Sequence, residues 1–167
     1  MTEIPVLKRR IRALTLFFMA ALAVSGVTAV PLPWELGLLN GLAGPGSRLA
    51  AWLPGLGMWI GRVHDGLRSA YAAFPQIAYG TDWLAFAHLV IAAAFIGLLR
   101  DPVRNRWLAD WGMLACGLLV AWALLMGSLR GIPWLWQLVD MSFGILGALP
   151  LWFTRRSILR LAECTQG

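Results

Sequence analysis

Four apolar stretches, running from about Ile11 to Val30, Trp83 to Leu99, Trp107 to Leu129 and Trp134 to Phe153, leave this chain few ways to fold. Each approaches the ~20 residues that carry a helix across a hydrocarbon core of about 30 Å. A helix on the surface of a water-soluble domain needs a polar stripe for solvent, and these stretches have none. Lipid offers no hydrogen-bond partner to a backbone amide, so each stretch must satisfy its own amides as a helix. The composition agrees, with 59% hydrophobic residues and a mean hydropathy of +0.70. The expected fold is all-α: a polytopic membrane helical bundle with four transmembrane helices and an outer amphipathic helical segment, in one domain over residues 1–167.

Basic residues orient the bundle. Lys8, Arg9, Arg10 and Arg12 lie before or at the start of the first stretch, Arg100, Arg104 and Arg106 separate the second from the third, and Arg155, Arg156 and Arg160 follow the fourth. Only Arg48, Arg62, Arg68 and Arg130 fall on the opposite side, so the positive-inside rule puts both termini in the cytoplasm. The net charge of +6 is then mainly topological, and nucleic acid is not an expected partner. The expected partners are the bilayer and either another membrane protein or a second copy of the chain. Trp83, Trp134 and Trp136 fall at the outer interface and Trp107, Trp111 and Trp152 toward the inner one, where amphipathic rings anchor helices. A competing reading makes the first stretch a secretory leader ending at Val27-Thr28-Ala29. The run is long for a leader's apolar region, so four spans are expected, and a mature chain beginning at Val30 would overturn that count.

Turn chemistry adds detail. Asp101-Pro102 reads as an N-cap and first helical residue for the third helix. Gly131-Ile132-Pro133 reads as a glycine stop followed by a proline start, which makes the third and fourth helices antiparallel neighbours. Pro150 is expected to bend the fourth helix or end it early. Small residues line one face of the third span (Gly112, Cys116, Ala123, Gly127), and Gln137, Asp140, Gly144 and Gly147 share a face of the fourth, so these two helices should pack closely. Between Pro31 and Gly80, about residues 47–74 form the outer segment. Leu49, Trp52, Leu53, Leu56, Trp59, Ile60, Val63, Leu67, Tyr71 and Phe74 recur at helical spacing, with a break near Pro54, Gly55 and Gly57 and a firmer helix from about Met58 to Ala73.

The chemistry-bearing candidates are the polar residues that topology does not explain. Asp140 lies roughly 10 Å along its helix from Pro133, and His88 roughly 9 Å along its own from Asp82. The matched depths predict a His88–Asp140 pair, which lowers the cost of holding either group in a low-dielectric bundle. Gln137, Asp82 and Arg130 complete a candidate polar pocket, although Asp82 also reads as a dipole partner at a helix N-terminus, after Thr81 as cap, and Arg130 as its counterpart at a C-terminus. Asp110 is expected to pair with Arg106 or Arg104. No catalytic residue, metal site or cofactor is expected. Cys116 and Cys164 form no C-x-x-C pair, His64 and His88 are far apart, and no phosphate loop or nucleophile elbow occurs.

The runs FPQIAYGTDWLAFAHLVIAAAFIGLLRDPVRNRW (Phe74 to Trp107) and RGIPWLWQLVDMSFGILGALPL (Arg130 to Leu151) resemble a family of small uncharacterised bacterial four-helix integral membrane proteins. The resemblance spans roughly the C-terminal two thirds and implies a bacterial cytoplasmic membrane, with no activity attached. Two functions are expected. One is a non-enzymatic structural or interaction protein locked by a buried His–Asp pair. The other is an outward-facing pocket that binds a small polar ligand, a lipid headgroup or a proton, since histidine titrates near neutral pH.

Overall fold

The computed structural model describes residues 3–166, and every regular element among them is a helix. In chain order they are α1 (Glu3–Thr28), α2 (Leu32–Ala43), α3 (Arg48–Trp52), α4 (Pro54–Ala73), α5 (Pro75–Ala94), α6 (Ile96–Arg100), α7 (Arg106–Leu129) and α8 (Trp134–Gln166). Four are long and apolar enough to cross a membrane: α1, α5 continued through α6, α7 and α8. The chain forms two compact units. One joins the residues up to Ala23 with Val90 onward, and the other is Val24–Leu89.

The first unit is built on α7 and α8, its most extensively packed pair. Their connection bears out the glycine-stop reading. Gly131 takes a φ of 65°, the left-handed region that a side chain disfavours. Its N–H bonds the Ser128 carbonyl at 3.3 Å, and the Ile132 N–H reaches back to Gly127 at 2.9 Å. These are the two bonds of a Schellman ending, which satisfy carbonyls that the helix terminus would otherwise orphan. The small-residue stripes do meet. A Cβ on Gly144 would stand 2.6 Å from the Cys116 carbonyl oxygen and 2.8 Å from a Val120 methyl, so only glycine allows this approach. Deeper in, Phe95 is fully buried, its ring 4.8 Å from that of Phe18. Ile11, Leu98, Leu151, Ile158 and Leu161 complete a core shared by α1, α6, α7 and α8.

Three boundaries differ from expectation, each for a local reason. Helix α8 runs through Pro150 to Gln166 instead of ending near it. A proline inside a helix costs ~3 kcal/mol, but Leu151, Thr154, Ile158 and Leu161 beyond it are buried and hold the continuation in place. Asp101 ends α6 and does not cap α7, which begins only at Arg106. The Asp101 carboxylate accepts from the Arg104 N–H at 3.0 Å, and the Asn105 amide donates to the carbonyls of Gly97 and Asp101 at 3.0 and 2.9 Å. Residues 101–105 are thus a closed turn whose side chains satisfy the end of α6. The second long apolar helix begins at Pro75, well before Trp83.

In the second unit, the residues before prolines divide the helices. Leu53 and Phe74 have φ,ψ of −131°,68° and −136°,80°, outside the helical region, as the following Pro54 and Pro75 require. Each proline then opens a helix, since its missing N–H would have had no partner there. The expected break in the outer segment is therefore at Leu53, and α4 starts at Pro54, four residues before Met58. Helix α2 has no counterpart among the expected elements. It packs on α4, where Leu36, Ala43, Gly57, Ile60 and Gly61 are buried. The apolar face of α4 points inward from Leu56 to Tyr71, whereas Trp52 is 86% exposed.

Glycine substitutions should separate contact from propensity. Gly144→Ala is expected to destabilise the α7–α8 pair by about 1–3 kcal/mol through overpacking. Gly117→Ala, with open space at its Cβ, should stabilise by up to about 1 kcal/mol. Denaturation of the two variants in micelles, monitored by helical circular dichroism, checks the opposite signs.

Candidate functional site

The five expected pocket residues divide between the two units. Asp82 and His88 lie on α5 in the Val24–Leu89 unit, while Arg130, Gln137 and Asp140 lie along the α7–α8 hairpin of the other. Each partner of the expected His88–Asp140 pair is described within its own unit.

His88 uses one ring nitrogen locally. Its Nδ1 is 2.8 Å from the Leu84 carbonyl one turn earlier, and because a carbonyl only accepts, Nδ1 carries the proton. A neutral ring then leaves Nε2 as an acceptor. The His88 Cβ also packs on Gly26, where an added Cβ would come within 2.7 Å. Asp82 is exposed in the interior of α5, so it cannot act as the dipole partner of a helix start. Thr81 does not cap a helix either: its hydroxyl bonds the Ile77 carbonyl at 3.2 Å and the Tyr71 hydroxyl at 2.7 Å. The reason is again Pro75, which begins the helix earlier. The Tyr71–Thr81 bond ties α4 to α5 across the Phe74 corner.

Gln137 is 9% exposed, and its Nε2 donates to the Ile132 carbonyl at 2.8 Å. Its side chain lies so close over Gly127 that a Cβ there would be 2.5 Å from the Gln137 amide carbon. Gln137 therefore fastens the start of α8 to the turn that precedes it. Asp140 is half-buried, and within its unit no described base lies in ion-pair range of it. Arg130 is exposed at the C-cap of α7, where a cation complements the helix dipole.

Asp110 does pair with Arg106, at 3.6 Å, but its shorter bond is to the Nε of Arg155 on α8. Arg155 escapes sequence inspection because the partners are 45 residues apart and no local spacing signals them. Arg156 stacks over Trp152 at 4.3 Å and Arg10 over Phe153 at 5.5 Å. His64 on α4 contacts Asp65 at 3.0 Å and faces Gly37 of α2. Among the described residues, no three His, Cys, Asp or Glu side chains converge as metal ligands would. Both cysteines are free.

Two cavities stand out. One, of about 540 Å³, is an open groove along α7 between Ala115 and Leu125 with a wholly apolar lining. The other, of about 430 Å³, lies among α1, the end of α6 with the turn after it, and α8. Neither is lined by Asp82, His88, Arg130, Gln137 or Asp140.

No protein-family model, curated protein or solved structure matches the chain.

The Gln137 fastening has a quantitative signature. Gln137→Met keeps the length and loses the donor, at an expected cost of about 1 kcal/mol. Gly127→Ala should cost less in a Gln137→Ala background than alone, because the colliding amide is gone. A double-mutant cycle on thermal unfolding measures that coupling.

Proposed function

We propose that this chain is a four-pass integral membrane protein of a bacterial inner membrane, with both termini cytoplasmic, acting as a non-enzymatic structural or interaction protein. The observation that carries the membrane reading is the inverted polarity of α7. Its packed face holds Gly112, Cys116 and Gly127, whereas Leu114, Leu118, Trp122, Leu125 and Leu129 form a stripe that is 52–71% exposed. A water-soluble protein does not present so long an apolar patch to solvent, and lipid is the medium in which it is stable. The basic clusters at one set of helix ends support the orientation.

The non-enzymatic reading draws on how the polar groups are used. Gln137 fastens a turn, Tyr71 and Thr81 tie two helices, Asp110 joins α7 to α8 through Arg155, and the His88 Nδ1 is spent within its own helix. An outward-facing pocket at His88, Asp140, Gln137, Asp82 and Arg130 is the alternative, and the commitment of the Gln137 amide to a backbone carbonyl weighs against it.

Thiol labelling tests insertion and orientation together. Cys164 is exposed and Cys116 is half-buried in α7. A membrane-impermeant maleimide should label Cys164 in inverted vesicles and neither cysteine in intact spheroplasts. Labelling of Cys164 in spheroplasts would reverse the topology. For function, replacing His88 and Asp140 together by leucine should leave any cellular phenotype in step with the protein's abundance. Loss of the phenotype with folding and abundance intact would require the pocket reading.

A further inference from the structure

The cavity among α1, the end of α6 and α8 has a composition that topology alone does not demand. Its floor is made by Ile11, Leu98 and Leu161, each no more than 2% exposed. Its rim carries Lys8, Arg12 and Arg100, brought together from α1 and from the last residue of α6.

Like Arg9, Arg104 and Arg160, these cations make no ion pair among the described residues, but of these six only Lys8, Arg12 and Arg100 line the hollow. Arg106 and Arg155 grip Asp110, while Arg10 and Arg156 lie over aromatic rings. Among the described residues, no carboxylate comes within ion-pair range of Lys8, Arg12 or Arg100. The one acid on the rim, Asp101, has a carboxylate oxygen accepting from the Arg104 N–H. Three like charges around one hollow repel one another, and an anion seated between them removes that cost.

The geometry points to a binding site for a phosphate-bearing anion, held by Lys8, Arg12 and Arg100 over an apolar floor, with the headgroup of an anionic phospholipid as the expected ligand. Two arginines can each present paired N–H donors to phosphate oxygens, and lysine adds a point charge. A free phosphate would use the rim alone, whereas a lipid would also use Ile11, Leu98 and Leu161 beneath its glycerol and first methylenes. Basic hollows between helices on the cytoplasmic side of a membrane suit anionic headgroups for this reason. The inference rests on the membrane reading above, and it gives the basic clusters a second role besides orientation.

The test uses the full chain in detergent micelles, titrated with phosphatidylglycerol or phosphatidylcholine and followed by native mass spectrometry. Phosphatidylglycerol should bind more tightly, and the triple variant Lys8→Gln, Arg12→Gln, Arg100→Gln should weaken it roughly 100-fold, about fivefold per charge. The charge-matched control Arg9→Gln, Arg104→Gln, Arg160→Gln should bind within about threefold of the parent. Displacement of phosphatidylglycerol by equimolar inorganic phosphate would support the same anion site and identify its ligand as the free ion. Equal binding of the two lipids, or equal loss in the two glutamine triples, would overturn the site. Carbonate washing of membranes from the same cells separates the two levels. A chain that washes off defeats the membrane reading, and a chain that stays but shows no lipid preference defeats only this inference.

Discussion

The approach of α7 to α8 over glycine is the contact on which the first unit depends. On the proposed membrane reading, lipid tails are as apolar as leucine, so burying leucine between helices gains little, and association comes from close packing and from polar groups bonded across the contact. Both are present. Gly144 lets the backbone of α8 come against the Cys116 carbonyl, Gly127 leaves room for the Gln137 amide, and Asp110 bonds Arg155 where the two helices run on together. With that pair in place, Gly112 admits the Phe95 ring beside Leu151, and Phe18 of α1 packs on the same ring. A larger side chain at any of these glycines would push the helices apart and open the core around Phe95.

Much of this is legible in the sequence because the relevant signals are local. Apolar length marks the four long apolar helices, the Gly131-Ile132-Pro133 run marks a stop and a start, and spacing by three and four marks the faces that meet. Punctuation is harder to read. A proline has opposite meanings at the first turn and in the middle of a helix, and only the surroundings decide which applies. Pro75 opens α5 and places Thr81 and Asp82 inside it, while Pro150 is carried through because the residues after it are anchored in the core. The depth matching of His88 with Asp140 takes Asp82 as a helix start, whereas α5 begins at Pro75. Helix α2 escapes notice because its sequence is apolar without a strong face, and its packing on α4 is tertiary.

The candidate site is legible in part for a similar reason. Gln137 stands out in the sequence as a polar residue in an apolar helix, but nothing there shows that its amide holds a turn. Lys8, Arg12 and Arg100 read there as orientation signals only. Nothing in their spacing shows that α1 and the end of α6 bring them around one hollow, since they are distant in sequence. Charges that end up on a cavity and charges that end up over an aromatic ring look alike in a sequence. Folding separates Arg12 from Arg10, two residues away.

The membrane reading requires α7 to lie in lipid with its small residues inward and its leucines outward. Spin labels placed at successive positions from Arg106 to Leu129 of the full chain in liposomes, with accessibility to oxygen and to a water-soluble nickel complex measured at each, test this directly. The expected result is an oxygen-to-nickel ratio that rises toward the middle of the helix along the outward-facing positions. Nickel accessibility along the Leu114, Leu118, Trp122 and Leu125 stripe, with no rise toward the middle, would contradict it.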